Sequence, residues 1–281
     1  MTNTGFLADT AGKANGAIEE DAIEDIEPVA PVRLYWLVRV ASIAVVLGLW
    51  EVLGRQVDPL FMAYPSDIVG AAYRMIASGE LVSAFLESMK TLTLGFVTAC
   101  IVGVLLGLLI GRYRYVDAAT DWLVNALYAT PLVAITPLVI LWFGLGFEAK
   151  LFIVFILAVF PVLINTASGV RNVANQLVDV GTAFAATETQ IFTKIILPAA
   201  LPFMMTGIRL GIGRAIIGMV VAEFFTAING LGALIIKYGN QFETAAMFVP
   251  ILCLMLMGIV YTTIVLRFEH WVAPWRFTDD E

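Results

Sequence analysis

Six long apolar stretches constrain the fold of this chain more than any other feature of its sequence. A helix of about 20 apolar residues crosses the ~30 Å hydrocarbon core of a bilayer. Stretches of about this length occupy roughly residues 36–54, 91–111, 122–143, 149–168, 203–227 and 246–266. Unpaired backbone groups cannot face lipid, and the sequence lacks the alternating pattern of membrane strands. It therefore predicts an all-α integral membrane protein with six transmembrane helices.

Composition agrees with this prediction and excludes an ordinary soluble domain. Of the 281 residues, 60% are hydrophobic and 14% are charged, and the mean hydropathy is +0.90. The net charge of −7 comes mostly from the first thirty residues, which hold seven acids and one base. We predict a disordered acidic tail at 1–34, a transmembrane domain at 35–270 and a C-terminal tail at 271–281. The acidic tail could bind a partner, although a solvated tail is the commoner case.

Residues that could support catalysis are scarce. The sequence contains no phosphate-binding loop of the form Gly-x4-Gly-Lys-Ser/Thr. His270 is the only histidine, so one chain cannot assemble a Ser-His-Asp triad or a histidine metal cluster. Cys100 and Cys253 lie inside apolar spans, where a free Cys behaves as a small hydrophobe. We expect no catalytic residue, no metal site, no cofactor and no nucleic-acid partner, so an intramembrane enzyme is the weakest hypothesis.

A polar stretch at residues 171–202 separates the fourth and fifth apolar spans. Four small or apolar residues recur in it at helical spacing: Leu177, Val180, Gly181 and Phe184. This spacing predicts a short amphipathic helix outside the bilayer. Thr187 and Gln190 form a capping box that begins a second helix, which Pro198 is expected to stop. Such helices either fold back on the ends of this protein's own spans or dock onto a separate protein.

The same stretch resembles the cytoplasmic loop in permease subunits of bacterial ABC importers. The pattern of that family is Glu-Ala-Ala, three residues, Gly, nine residues and Ile-x-Leu-Pro. The matching positions in this chain are Asp179, Val180, Gly181, Ala185, Ile195, Leu197 and Pro198. The spacing agrees at every step, and the last three residues also agree in type. Because Ala185 replaces the family's Gly, we expect a backbone without positive φ at this position.

The resemblance extends over most of residues 60–265, to the nitrate, sulfonate and taurine branch of that family. Its further motifs are a Pro-Ser-Asp helix start at 65–67, with Ser66 as the expected cap, LWFGLGF at 141–147 and FPVLINTASGVRNV at 160–173. The helix that begins at 65–67 is expected to lie in the outer membrane–water interface. The resemblance implies a type I ABC importer permease architecture.

The resemblance also implies partners, and it gives the loop the role of contacting an ATPase. The residues it assigns to ATPase coupling are Asp179, Val180, Gly181, Phe184, Ala185, Leu197 and Pro198. The implied partners are a second copy of the chain, two ABC ATPase subunits that bind ATP and Mg, and a periplasmic or extracellular substrate-binding protein. The chain would be a multi-pass protein among the lipids of the bacterial inner membrane, with both termini cytoplasmic.

Four polar residues inside the spans are candidates for a translocation pathway: Arg214, Glu223, Asn165 and Asn125. Arg214 is predicted about 16 Å deep, near the midplane, and Glu223 near the outer edge on the opposite side of the same helix. A midplane charge costs at least ~2.5–3.5 kcal/mol, so Arg214 needs a partner. It either attracts an anionic substrate or forms a structural ion pair. For the two Asn residues, interhelical hydrogen bonding is the alternative.

Prolines and glycines within the spans predict local geometry. Pro131, Pro137 and Pro161 each remove a backbone donor, so the third and fourth spans should bend or unwind. Glycines recur at four-residue steps in the second and fifth spans: Gly103, Gly107, Gly111, Gly207 and Gly211. They permit close helix approach, either within one subunit or at a seam between subunits. Arg209 is expected to snorkel or to tie the loop to the fifth span.

These observations favour the permease subunit of an ATP-driven importer for a small anionic nutrient, with any ATP hydrolysis supplied by a separate subunit. The alternative is a secondary transporter or channel that needs no ATPase. Against it, Arg214 cannot relay protons by titration, and no inverted repeat is evident.

Overall fold

The computed structural model describes residues 32–274. The acidic tail predicted at 1–34 lies almost wholly outside this range, as does most of the C-terminal tail at 271–281. The described residues form eleven α-helices, numbered here in chain order: α1 Val32–Gly54, α2 Pro65–Ala77, α3 Glu80–Arg112, α4 Arg114–Ala129, α5 Thr136–Phe143, α6 Phe147–Arg171, α7 Asn175–Ala183, α8 Glu188–Ile191, α9 Leu197–Thr226, α10 Leu231–Asn240 and α11 Thr244–Val272.

The described chain confirms the membrane-spanning prediction. Five of its helical segments are long and apolar enough to cross a membrane, and the two helical segments Arg114–Ala129 and Leu132–Phe143 together make a sixth, bent by 83°. The bend lies at Pro131, because the residue before a proline avoids the helical region and Thr130 is extended, with ψ 137°. Pro137 lies in the first turn of α5, where a missing N–H is tolerated.

Pro161 does not unwind its helix, which rules out one of the two expected outcomes for the fourth span. α6 continues through Pro161 from Phe147 to Arg171. The amide of Asn165 donates to the Pro161 carbonyl at 2.8 Å. Pro161 and most of its neighbours in α6 are buried, so packing on several sides holds the helix together where one backbone bond is absent.

The chain divides into two compact units, residues 1–52 and 53–281. The described part of the first unit is most of α1, whose side chains from Tyr35 onward are almost all exposed. Apolar side chains such as Trp36 and Val46 cover its surface. Its length and composition are those of a membrane-spanning helix.

The core of the second unit is the packing of α3 and α9 against α6. A Cβ atom on Gly103 would lie 2.8 Å from Val162 Cβ, and one on Gly107 would lie 2.6 Å from Thr166 Cβ. From the other side, a Cβ on Gly207 would lie 2.8 Å from Asn165 Cβ. These glycines therefore serve close packing within one chain, which is one of the two predicted roles.

The second unit has two ends, which we name by their connections. The loop end holds the C-termini of α3 and α6 together with α7 and α8. The hairpin end holds α2, the short α5–α6 connection and α10. Helix α2 begins after Tyr64 with Pro65 in its first turn, so Tyr64 rather than Ser66 is the cap. Its Ile68 and Met75 are buried, whereas its Tyr73 is exposed, as an interfacial helix requires.

Candidate functional site

Helix α7 at the loop end presents an apolar face to the outside. Leu177, Val180 and Phe184 are 50%, 55% and 84% exposed, and they follow one another at helical spacing. Asp179, between them in sequence, is also exposed. The predicted amphipathic helix is confirmed at Asn175–Ala183. Its apolar side chains have no cover in the described chain, so this face is free for a partner.

The other face of α7 packs against the protein's own second loop helix. Gly181 is buried, and a Cβ atom there would lie 2.8 Å from Ile195 Cδ1 and 3.3 Å from Ile191 Cγ1. Ile191 belongs to a core cluster that includes Val170 of α6 and Ala200 of α9. The first sequence interpretation is therefore confirmed for the inner face, which folds back on this protein, while the outer face stays exposed. Gly181 lies on the inner face and not with Val180 on the outer one.

The second loop helix begins as the sequence predicts and ends differently. The Thr187 N–H donates to Gln190 Oε1 at 2.8 Å, and the Gln190 N–H donates to Thr187 Oγ1 at 3.3 Å, so the capping box is confirmed. Pro198 does not stop this helix. A π-helical turn at Phe192–Ile196 leads directly into α9, where Pro198 occupies the first turn. The wider turn accommodates the proline, and Leu197 is half-buried beside the core cluster.

Ala185 corrects a second expectation, because its φ is +53°. The Ala186 N–H donates to the Gly181 carbonyl at 3.0 Å, and the Ala185 N–H donates to the Thr182 carbonyl at 2.9 Å. This pattern is a Schellman motif, in which the residue after the helix cap is left-handed. The motif explains why the family pattern has Gly at this position. Here Ala occupies it at a steric cost.

Two ion pairs join the loop to the ends of the spans. Arg112 at the end of α3 contacts Glu188 at 3.1 Å, and Arg171 at the end of α6 contacts Asp117 of α4 at 2.5 Å. Arg209 pairs with Glu269 of α11, whose side chain is fully buried. Arg209 thus connects α9 to the last helix, and not to the loop as expected.

Arg214 faces a cavity beside the broken span. The cavity has a volume of about 130 Å³ and is lined by Arg214, Leu157 and residues of the α4–α5 connection, among them Tyr128 and Thr130. Arg214 is exposed, and no carboxylate within residues 35–274 pairs with it. The guanidinium lies inside a predicted span and, because it is exposed there, it can contact an ion or another chain.

Glu223 occupies a different environment. It is fully buried, and its carboxylate accepts hydrogen bonds from the Ser88 hydroxyl at 2.6 Å and from the Gly232 N–H at 2.8 Å. Glu223 therefore acts in this conformation as a buried connector of α3, α9 and α10. Sequence analysis missed Ser88 and also the buried Lys150 nearby. The sequence signal that could have identified them is the occurrence of a serine and a lysine in otherwise apolar segments.

The two candidate asparagines lie apart from Arg214. Asn165 packs against Gly207 at the contact between α6 and α9, but its hydrogen bond is to the Pro161 carbonyl of its own helix and not to another helix. Asn125 is exposed and borders a small cavity at the loop end, near Asp117 and Arg171. The structure thus does not gather the four pathway candidates into one site, and Arg214 alone lines the cavity beside the broken span.

Comparison with known proteins identifies the family. Residues 103–275 match the family described as "Binding-protein-dependent transport system inner membrane component". The chain is 32% identical to the putative aliphatic sulfonates transport permease protein SsuC of Bacillus subtilis, over 87% of this chain and 89% of the relative. It is 29% identical to the formylaminopyrimidine transport permease protein ThiX of Halalkalibacterium halodurans, over 81% of this chain and 91% of the relative.

A solved structure supports the fold. A chain of the MetNI methionine ABC transporter, in an inward-facing conformation, matches with a TM-score of 0.53 and 19% identity, covering 70% of this chain and 97% of that chain. The predicted type I importer permease architecture is confirmed. The protein is a multi-pass membrane transport component. It belongs to the family of inner-membrane components of binding-protein-dependent transport systems, the permease subunits of ABC importers.

Proposed function

We propose that this chain forms a homodimer that works with two copies of a separate ABC ATPase and an external binding protein to import a small anionic nutrient. The observation that carries the proposal is the exposed apolar face of α7. Leu177, Val180 and Phe184 lie outside the spans and are at least half exposed. Covering this face with a partner would remove apolar surface from water at about 25 cal/mol per Å².

The loop is built to transmit movement from such a partner. Gly181 lets α7 pack closely against Ile191 and Ile195. Ile191 ends α8, Ile195 lies in the π turn, and that turn continues directly into α9. A displacement of α7 is therefore passed to a span over a short, packed path. The ATPase subunits would bind ATP and Mg. In this arrangement the loop end and both termini are cytoplasmic, and the membrane is the bacterial inner membrane.

The docking proposal is tested by purifying the tagged chain in mild detergent and measuring the ATPase that accompanies it. We expect Phe184→Asp to lose at least ten-fold of the bound ATPase, because a buried charge replaces a central aromatic contact. Phe242→Asp is the matched control, because Phe242 is also an exposed phenylalanine after the end of a helix but lies beyond α10 at the hairpin end. Equal retention of the ATPase by both variants would overturn the proposed docking surface.

Arg214 supports an anionic substrate. An arginine inside a span is costly in hydrocarbon, and this one faces a cavity without a carboxylate partner among the described side chains. The names of the relatives cover both aliphatic sulfonates and formylaminopyrimidine, so the family alone leaves the charge of the substrate open. A guanidinium suits carboxylate and sulfonate groups, since it offers several donors in a planar fork.

Transport assays with Arg214→Gln and Arg214→Lys test the anionic substrate. In vesicles that contain the full complex, Gln should lower uptake of a sulfonate at least ten-fold, whereas Lys should retain much of it. Both variants should assemble with the ATPase like the wild type. If Gln instead abolishes folded protein, or if both variants transport normally, Arg214 is not a substrate contact.

A further inference from the structure

A buried polar layer lies beneath the turn between α9 and α10, residues 227–230. Glu223 accepts from Ser88 and from the Gly232 N–H, and the Leu231 N–H donates to the Ser88 hydroxyl at 2.8 Å. Glu223 and Ser88 are fully buried. One carboxylate and one hydroxyl thus hold the first two amides of α10 against α3 and α9.

Lys150 of α6 ties the turn from another side. Its ammonium donates to the Asn229 carbonyl at 2.9 Å and also to the Asn229 side-chain oxygen. Lys150 is 4% exposed, and it lies near enough to Glu223 and Glu87 to interact with both electrostatically. The turn and the first residues of α10 are therefore held by buried polar side chains of three spans, α3, α6 and α9.

The turn fits closely over this layer. Gly230 has φ +103°, and a Cβ atom there would lie 2.1 Å from Glu223 Oε1. A Cβ on Gly232 would lie 2.7 Å from Glu223 Cβ. Ala227 begins the turn with φ +47°. A left-handed Ala and two glycines are what the chain needs to bring its backbone onto a carboxylate.

A cavity of about 400 Å³ borders the turn, lined by α3, the turn and α10: Glu80, Ser83, Glu87, Asn229, Gly230 and Lys237. The Arg214 cavity lies elsewhere along α9. Glu223 follows Arg214 by nine residues of continuous helix, so their Cα atoms lie about 14 Å apart along the axis of α9.

From this arrangement we propose that Glu223 and Lys150 are positioning residues that keep the 227–230 turn closed against α3 and α6, at the wall of the larger cavity. Opening the hairpin end during transport then separates the turn from α3 and α6, and breaks the contacts of Lys150 with Asn229 and of Ser88 with Leu231. Polar contacts suit this role because water entering the opened layer can replace them, whereas a dry apolar seal has no such substitute. The inference rests on the proposed import function, since it gives the turn a place in the transport cycle.

Hydrogen exchange of the Leu231 and Gly232 amides tests the proposal in the full chain, in lipid nanodiscs. Both amides donate to the buried layer, so their exchange reports opening of the turn. Lys150→Met should speed their exchange at least ten-fold, and by more than it speeds the exchange of α3, α6 and α9. Lys194→Met is the matched control, because Lys194 is exposed at the loop end. Unchanged exchange at the turn, or an equal rise in exchange across all these helices, would overturn the positioning role.

A second arm uses the complex with the ATPase and a non-hydrolysable ATP analogue. Exchange at the turn should rise when the nucleotide binds, and α7 should be protected by docking. A protected α7 with an unchanged turn overturns the positioning role and leaves the importer proposal standing. An unprotected α7 counts against the proposed docking alone, because the Lys150→Met comparison in nanodiscs requires no partner.

Discussion

The two ends of the bundle place their side chains in opposite ways. At the loop end, Phe184 and Val180 are apolar and exposed, whereas at the hairpin end Glu223 and Lys150 are charged and almost fully buried. Each choice costs free energy in an isolated chain. We propose that a partner covers the exposed apolar face and that the hydrogen bonds of the buried charges position a turn. Both ends depart from the usual pattern of burial.

The strongest test of this comparison removes the buried carboxylate. Glu223→Ala leaves the Ser88 hydroxyl and the Gly232 N–H without their acceptor and Lys150 without its neighbouring negative charge. We expect a loss of about 2–4 kcal/mol in unfolding free energy, because each buried donor left without its acceptor costs about 1–3 kcal/mol. Glu188→Ala at the loop end removes a carboxylate whose side chain is 90% exposed, and it should change thermal unfolding in detergent very little. Similar losses of stability in Glu223→Ala and Glu188→Ala would contradict the difference in burial between the two ends.

Adjacent residues on α7 sharpen the comparison within the loop end. Gly181→Val should lower stability by about 1–3 kcal/mol, because its side chain would crowd Ile191 and Ile195. Val180→Asp should leave the thermal midpoint unchanged and weaken ATPase binding about ten-fold or more. Measuring both quantities for both variants separates the packed face from the docking face. The assignment of faces fails if Val180→Asp unfolds the loop.

At the hairpin end, Tyr238 gives a pH-dependent test. Its hydroxyl donates to Glu80 at 2.6 Å, and burial, followed by the effect of Glu80, raises the Tyr238 pKa from 10.0 to about 12. The folded protein therefore keeps a proton that the unfolded chain loses between these values. The stabilisation, roughly 1 kcal/mol, is complete below pH 10 and is lost as the pH rises towards 12. Tyr238→Phe should lack this dependence in unfolding measured across that pH range, and a parallel decline in both proteins would contradict the prediction.

The smallest expected effect is a gain at the loop end. Ala185→Gly removes the steric cost of φ +53°, and the greater freedom of Gly in the unfolded chain offsets part of the benefit. We expect about 0.5 kcal/mol of added stability in thermal unfolding. Ala183→Gly is the control, because Ala183 lies within α7 and the same change should destabilise it. A loss of stability at both positions would mean that Ala185 is not strained.

Local signals in the sequence predicted much of the architecture correctly. The length of the apolar stretches predicted the spans, and Pro131 predicted the break in the third one. Thr187 and Gln190 predicted the capping box. Each of these features depends on residues close together in the chain, where spacing limits the possible contacts. The resemblance of the loop around Asp179 to the importer permeases led to the correct family.

The sequence predictions failed where a contact joins residues far apart in the chain, or where two local backbone geometries were both possible. Ser88 and Glu223 are 135 residues apart, so their hydrogen bond leaves no local pattern. Pro198 was expected to stop a helix, but a π turn absorbs it. At Ala185, the residue type argued against positive φ, and the hydrogen bonds of the helix end prevailed.

By itself, the sequence determined that this chain spans a membrane several times, that it carries an amphipathic loop between two spans, and that its charged residues inside the spans must be protected from lipid. Hydrophobic length and helical period suffice for these conclusions, because both act along one segment. Only the tertiary structure decided that Arg214 faces a cavity while Glu223 is enclosed beneath a turn. The two lie on the same helix, and much of what surrounds each is set by α3, α4 and α6, which come to α9 from far along the chain.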